Sequence, residues 1–358
     1  MDSRSLREEN GKFILIHRRK AMPTLTIGLD IAKSVFQIHG INRHGDTVVQ
    51  RKLRRTEVLK FFSKLEPSLI GIEACHSSHF WARELTSLGH TVRLLPTQYV
   101  KPFLVGGKND ANDAAAICAA VTRRDIHCVT IKSAEQQSLQ SVHRMRARLI
   151  QERTAKSNQI RSMFAEEGFV FPIGLPQLRK NIIALIDEAS TRITPLLRRL
   201  GRMYLEQLNA VQQWLDELDN EMARVFKQNE VCQRLATVPG IGPVIATALV
   251  SSVGDPSQFK NGRQFAAWLG LTPRQRSSGG KTKLGGITKR GDSYLRTLLV
   301  QGARAVMRFV HRRDDRHSRW IKTLMQRRHT SIASIAVANK TARIARALLR
   351  YEERFNAA

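Results

Sequence analysis

A multidomain chain is predicted, α/β at its N-terminal end and mainly helical beyond, on three observations. Residues 24–130 alternate short β-branched apolar runs with stretches of helical spacing. From about Ser133 to Gln228 the sequence is charged, almost free of glycine, and repeats its apolar residues at three- and four-residue steps. Beyond residue 231, glycine returns among apolar and arginine-rich segments. At 358 residues the chain exceeds one typical core, so roughly two or three domains are expected. Its 42% hydrophobic content argues against wholesale disorder.

The elements follow in order. TLTIGLD, opening at Thr24, is a short strand; SVFQIHGIN and GDTVVQRKL complete a three-strand meander with a turn at His44–Asp46. EVLKFFSKL has helical spacing and SLIGIE reads as a buried strand. FWARELTSLG is a helix stopped by Gly89, and HTVRLLP is a strand ended by Pro96. NDANDAAAICAAVTRR is an alanine-rich helix. Three strands followed by alternating helices and strands is the order of a ribonuclease H-like fold. Residues 1–23 are charged and lack a long apolar core before a small-residue cleavage site. They read as an N-terminal extension outside the fold, or as an upstream start, and not as a signal peptide.

Over 131–230, the apolar positions Leu139, Val142, Leu149, Ile160 and Met163, then Leu205, Leu208, Leu215, Leu218 and Met222, predict an antiparallel coiled-coil hairpin. A break is expected at Phe171-Pro172-Ile173-Gly174. An ordinary helical bundle is the competing reading. Residues 231–358 form the C-terminal domain. There, Pro239–Pro243 (PGIGP) resembles a helix-hairpin-helix turn, in which Gly240 and Gly242 would let backbone amides approach a phosphate; a tight turn without a ligand is the alternative.

The chain carries 59 Lys+Arg against 30 Asp+Glu, a formal net charge of +29. Counterion release from phosphates rewards such a surface, making nucleic acid the leading partner. A membrane role loses: the bases are spread along the chain, and no run approaches the about 18 apolar residues of a span. Cys75, Cys118, Cys128 and Cys232 show no CxxC or zinc spacing, which fits a reducing cytoplasm.

Against that basic background, four carboxylates stand out. Asp30 and Glu73 end strand-like runs, while Asp110 and Asp113 lie three apart at a helix start, on one face. Gathered carboxylates repel unless a cation joins them, so a divalent metal site is expected at Asp30, Glu73, Asp110 and Asp113. Alternatively, Asp110 caps the helix and Asp113 supports its first turn. His76 and His79 follow Glu73, but an oxygen-preferring Mg²⁺ favours the acids. GLDIAKS also resembles the first phosphate strand of actin-like ATPases; no second glycine-rich phosphate loop accompanies it.

A second cluster follows GLTP. Ser277-Ser278-Gly279-Gly280 sits in a loop among Arg274, Arg276, Lys281 and Lys283, with Lys289, Arg290 and Arg296 downstream and Asp292 its sole acid. A hydroxyl flanked by glycines and cations is a plausible nucleophile toward a phosphodiester, although Ser-Gly-Gly is also a common linker.

TIGLDIAK, GIEACHSS, KNDANDAAAI, VPGIGPVIATAL, FAAWLGLTPRQRSSGG and GGITKRGDSYLR together resemble the DEDD transposases of insertion sequences, relatives of the Piv invertases, over most of Thr24 to Arg308. The resemblance implies a RuvC-like metal-binding domain, a coiled coil, and a C-terminal transposase domain bearing a nucleophilic serine. It assigns Asp30, Glu73, Asp110 and Asp113 to Mg²⁺, or Mn²⁺, and the nucleophile to Ser278, with Ser277 as its rival and Tyr294 as a packing or DNA-contact residue. It also implies donor and target DNA as substrates, a bridge RNA as guide, and a homo-oligomer between dimer and tetramer in a bacterial or archaeal cytoplasm, at the nucleoid. A junction-resolving nuclease using water, or a non-catalytic nucleic-acid-binding protein, are the rival functions.

Overall fold

The computed structural model describes residues 5–9, 12–16, 25–107, 109–187, 193–351 and 353–355, the first two stretches by backbone alone. The chain divides into two compact units, Met1–Ser133 and Ala134–Ala358. Within the predicted N-terminal extension, β1 (Ser5–Glu9) and β2 (Lys12–Ile16) pair only with each other, as an antiparallel hairpin. The rest of residues 1–23 lies outside the described residues.

The first unit is built on a five-stranded mixed sheet. β3 (Thr26–Ile31), β4 (Val35–Ile41) and β5 (Thr47–Arg54) form the expected antiparallel meander. Its second turn, between β4 and β5, is held by the Asn42 side chain, which accepts from the His44 and Asp46 amides, and by Gly45 at φ +93°. After α1 (Val58–Phe62), β6 (Leu69–Glu73) joins β3 in parallel. After α2 (Ser78–Ser87), β7 (Thr91–Leu95) joins β6, giving the order β5-β4-β3-β6-β7. The short α3 (Thr97–Val100) leads to α4 (Asp110–Val121).

Strand alternation assigns the two faces of this sheet. Ile27, Leu29, Ile70 and Ile72 are fully buried in a core with Val58, Phe62, Trp81, Ala82 and Leu85, so α1 and α2 cover one face. The opposite face carries Gly28 and Asp30 on β3, and Gly71 and Glu73 on β6, with Gly28 directly paired to Gly71. α4 lies on that face at backbone contact. A Cβ on Gly28 would stand 2.0 Å from the Ala114 carbonyl oxygen and 2.4 Å from the Cys118 nitrogen, and one on Gly71 2.7 Å from the Val121 Cβ. The alanines of α4 make it thin enough to fit: Ala114, Ala116 and Ala120 are all buried. The Cys118 thiol donates to the Thr26 carbonyl, and Arg93 ties the far end of α4 through the Val121 carbonyl at 3.2 Å.

Among its described residues, the regular structure of the second unit is helical apart from one hairpin. α5 (Ala134–Ala165) and α7 (Pro195–Gln228) run antiparallel, cross-linked by Arg146–Asp219, Arg153–Gln212 and Lys156–Gln207, with Leu149, Val211 and Leu215 buried between them. The expected break falls after Ala165, and α6 (Leu175–Asp187) is inserted there. It buries Leu178, Ile182 and Ile186 with Ile160, Phe164 and Leu208.

α8 (Glu230–Leu235), α9 (Pro243–Val253), α10 (Gly262–Trp268), α11 (Ser293–Phe309), α12 (Arg316–Arg327) and α13 (Thr330–Arg350) share the largest core, which includes Leu249, Phe265, Leu295, Ile321 and Val337. Between α10 and α11, β8 (Pro273–Ser278) and β9 (Lys281–Ile287) form an antiparallel hairpin where the sequence suggested a loop. The cause is the two-residue Gly279-Gly280 turn, with φ of +53° and +75°, the backbone a tight hairpin requires. Both strands are exposed, so no burial alternation advertised them.

Candidate active site

The acids converge because of the sheet-to-helix contact just described. Asp30 is two residues beyond Gly28 on the α4 face of β3. Gly28 lets α4 close onto that strand at Ala114 and Cys118, just past its first turn, and one carboxylate oxygen each from Asp30, Asp110 and Asp113 lie within 4.8 Å of one another. The cap of α4 is Asn109, whose side chain accepts from the Asn112 amide at 2.8 Å. The capping reading of Asp110 is thereby overturned. An extended residue one position earlier does that work, leaving Asp110 and Asp113 in the first turn with their carboxylates toward Asp30.

Burial, then the negative charges of Asp113, Asp110 and Glu73, push the Asp30 carboxyl up to about 6. Glu73 therefore stands near enough for its charge to be felt, but it lies outside the tight trio. The donors are all oxygens, as hard divalent cations prefer. His79 is engaged elsewhere, its Nδ1 accepting from the Lys132 amide at 3.2 Å, and His76 is exposed.

The hairpin sorts the second cluster. Residues directly opposite share a face, and successive residues alternate. Ser278 pairs with Lys281 and Arg276 with Lys283, so Ser278 shares its face with three cations. Ser277 faces the other way with Gln275, Thr282 and Leu284, and its hydroxyl accepts from the Gln275 side chain at 2.8 Å. Ser278 ends β8 immediately before the glycine turn, and Arg274 lies where the ladder shifts register.

The hairpin's base is locked by interleaved backbones. Gly270 (φ +71°) leaves no room for a Cβ against the Arg290 carbonyl, nor Gly291 (φ +86°) against that of Trp268. Lys289 takes a left-handed φ of +55°, and its amide donates to the Gly270 carbonyl.

The transposase model described as the IS116/IS110/IS902 family matches residues 232–319, which contain this hairpin, and a DEDD transposase model of the IS110 type matches residues 27–167, which contain the acids. Across 330 residues the chain is 47% identical to a Pseudomonas aeruginosa protein named "Probable family 20 transposase", covering 91% of this chain and 97% of that one. It is 38% identical to the transposase for insertion sequence element IS1111A of Coxiella burnetii (94% and 93% covered), and 37% identical to that for IS1328 of Yersinia enterocolitica (90% and 96%). The chain belongs to the IS110/IS116 family of DEDD transposases. It is therefore an enzyme of DNA transposition, and none of its described helices is long and apolar enough to cross a membrane.

Several other expected site residues of the transposase have structural partners. Gly240 (φ +89°) meets Gly302 of α11 so closely that a Cβ would lie 2.8 Å from its carbonyl oxygen, whereas Gly242 is exposed with open space beside it. Arg296 donates to the Leu269 and Arg290 carbonyls, and Asp292 caps α11 through the Tyr294 and Leu295 amides. Tyr294 shares a hydrogen bond with buried His143 (3.0 Å), whose other nitrogen meets Thr247 at 3.1 Å; burial, then Arg146, hold that imidazole down to about 4.

Sequence reasoning missed Gly28 and Gly71. Their signal is a glycine two residues before an acid in both GLD and GIE.

The transposase should show this electrostatic arrangement in its stability. Asp30 titrates higher folded than its ordinary value of 3.8, so the folded state favours its protonated form. That contribution is fully present below 3.8 and is lost as pH rises through about 6. Without divalent ions, the melting temperature of Asp30→Asn relative to wild type should therefore climb between pH 5 and 7.5. A flat difference across that range would contradict the crowded carboxylates.

Proposed function

We propose that this transposase cuts and rejoins DNA through a phosphoserine at Ser278, with Mg²⁺ (or Mn²⁺) held by Asp30, Glu73, Asp110 and Asp113. The observation that carries the reading is the convergence of Asp30, Asp110 and Asp113 in a chain of net charge +29. Such a trio is repelled by its own charge and suits a hard cation, with Glu73 completing the set from the neighbouring strand. When bound, the cation would supply charge neutralisation at the oxygens of the reacting phosphate.

The chain's own part is as follows. The Ser278 oxygen attacks phosphorus and its proton is released. An Oγ–P bond forms as the bond to one deoxyribose oxygen, 3′ or 5′, breaks, and that oxygen takes up a proton. Arg276, Lys281 and Lys283, on the Ser278 face, offset the charge gathering on the non-bridging oxygens. Attack by a hydroxyl of the partner strand then reseals the DNA and releases the serine. The RuvC-like reading of the first unit, the helix-hairpin-helix reading of the PGIGP turn, and a coiled-coil exchange between subunits of a dimer or tetramer belong to the same proposal, as does a bridge RNA pairing with donor and target DNA. The basic excess and the family membership support them.

The test uses the acids. Asp110→Asn and Asp113→Asn should each lower Mg²⁺-dependent cleavage of element-end DNA at least about 100-fold. Binding of the same DNA in EDTA should be unchanged. Normal Mg²⁺-dependent cleavage by Asp110→Asn would remove the metal from this reading.

A further inference from the structure

We propose that the groove between α12 and α13 seats the phosphodiester backbone of a nucleic-acid strand, with Lys340 and Arg343 as its phosphate ligands; this rests on the nucleic-acid reading above. The groove has a volume of about 600 Å³ and is bordered by Trp320 of α12 and by Asn339, Lys340 and Arg343 of α13. The small residues Ala336 and Gly262 also line it. Residues 336, 340, 343 and 347 recur at three- and four-residue steps, so one face of α13 forms the wall.

The cations in this groove are arranged differently from those around them. The Lys340 ammonium sits 4.0 Å from the centroid of the Trp320 ring, an attraction that fixes its position. A lysine held this way loses less freedom on gripping a phosphate than one sweeping through solvent. Burial, then the charges of Arg316 and Arg343, shift its ammonium below the usual lysine range. Among the described residues, no carboxylate forms an ion pair with Lys340 or Arg343, whereas Arg319 and Lys322 on α12 lean on Asp314 at 3.8 and 3.5 Å. Like charges gathered without a counter-ion favour an incoming anion. A guanidinium fork beside a point charge suits successive phosphate oxygens of a strand, and the groove is far larger than one free phosphate requires.

Counterion release supplies a readout that mere folding damage does not imitate. The affinity of the full chain, in EDTA, would be measured for single-stranded RNA, single-stranded DNA and duplex DNA of one sequence between about 50 and 200 mM salt. For the strand that occupies the groove, the combined change Lys340→Gln and Arg343→Gln should make the slope of log affinity against log salt shallower by roughly 1.4–1.8. The affinity deficit should accordingly shrink roughly tenfold across that salt range. Lys340→Arg, which keeps the charge, should keep the wild-type slope. Unchanged slopes on all three nucleic acids would overturn the seat. So would an equal loss from the control Arg319→Gln with Lys322→Gln, which removes the same charge outside the groove. Wild-type protein binding none of the three would sink the nucleic-acid reading itself, and the seat with it.

Discussion

Ser278→Ala should abolish the covalent protein–DNA adduct and reduce strand exchange by at least about 10⁴-fold, as expected for loss of an attacking nucleophile. Ser277→Ala should retain most of both. The two serines are adjacent, so composition and spacing treat them alike, and the hairpin separates them. Ser278 lies on the face of Arg276, Lys281 and Lys283, where a phosphate would be held. Ser277 lies on the face of Gln275, Thr282 and Leu284, with its hydroxyl already accepting from Gln275. Both are exposed on a two-stranded excursion, so either substitution should change stability by no more than about 0.5 kcal/mol. The measurement is adduct formation on DNA with an interrupted strand, resolved under denaturing conditions, alongside binding in EDTA. An adduct persisting in Ser278→Ala would transfer the nucleophile elsewhere. Its loss in Ser277→Ala alone would reverse the assignment.

The sequence showed the first unit clearly because its signals are local. The buried strands are short runs rich in β-branched residues; Asp30 and Glu73 stood out because they end two such runs, and Asp110 and Asp113 because they open an alanine-rich helix. What brings three of them together was less visible. The approach of α4 depends on Gly28 meeting Ala114 and Cys118, nearly ninety residues away, and one sequence does not reveal such a contact. The β8–β9 hairpin was hidden for another reason. Strands usually betray themselves by one buried face, and this hairpin has none, so only its Gly-Gly turn was informative. Gly240 illustrates a second demand that the sequence leaves hidden. A glycine that suggests phosphate contact is also required by the packing of α11, and the second demand is invisible until Gly302 is seen opposite it.

The glycines beneath α4 therefore carry the strongest structural prediction. Gly28→Ala should destabilise the protein by at least about 3 kcal/mol, roughly 150-fold in the folding equilibrium, or else displace α4 and its two acids. A Cβ at that position meets the Ala114 carbonyl oxygen at 2.0 Å and the Cys118 nitrogen at 2.4 Å, both helix backbone, so no side-chain rotation can relieve it. Gly71→Ala, on the paired strand, meets the Val121 side chain at 2.7 Å and Ile117 at 3.1 Å. That clash is one a smaller neighbour can relieve. Adding Val121→Ala should restore much of the stability lost by Gly71→Ala and none of that lost by Gly28→Ala. Urea unfolding would measure the four variants, and the rise in melting temperature on adding Mg²⁺ would report whether the acids still meet. A Gly28→Ala protein with wild-type stability and a full Mg²⁺ response would show that α4 does not rest on β3 at this point. The acidic site would then need a different support, because the contact at Gly28 is where α4 meets the strand that carries Asp30.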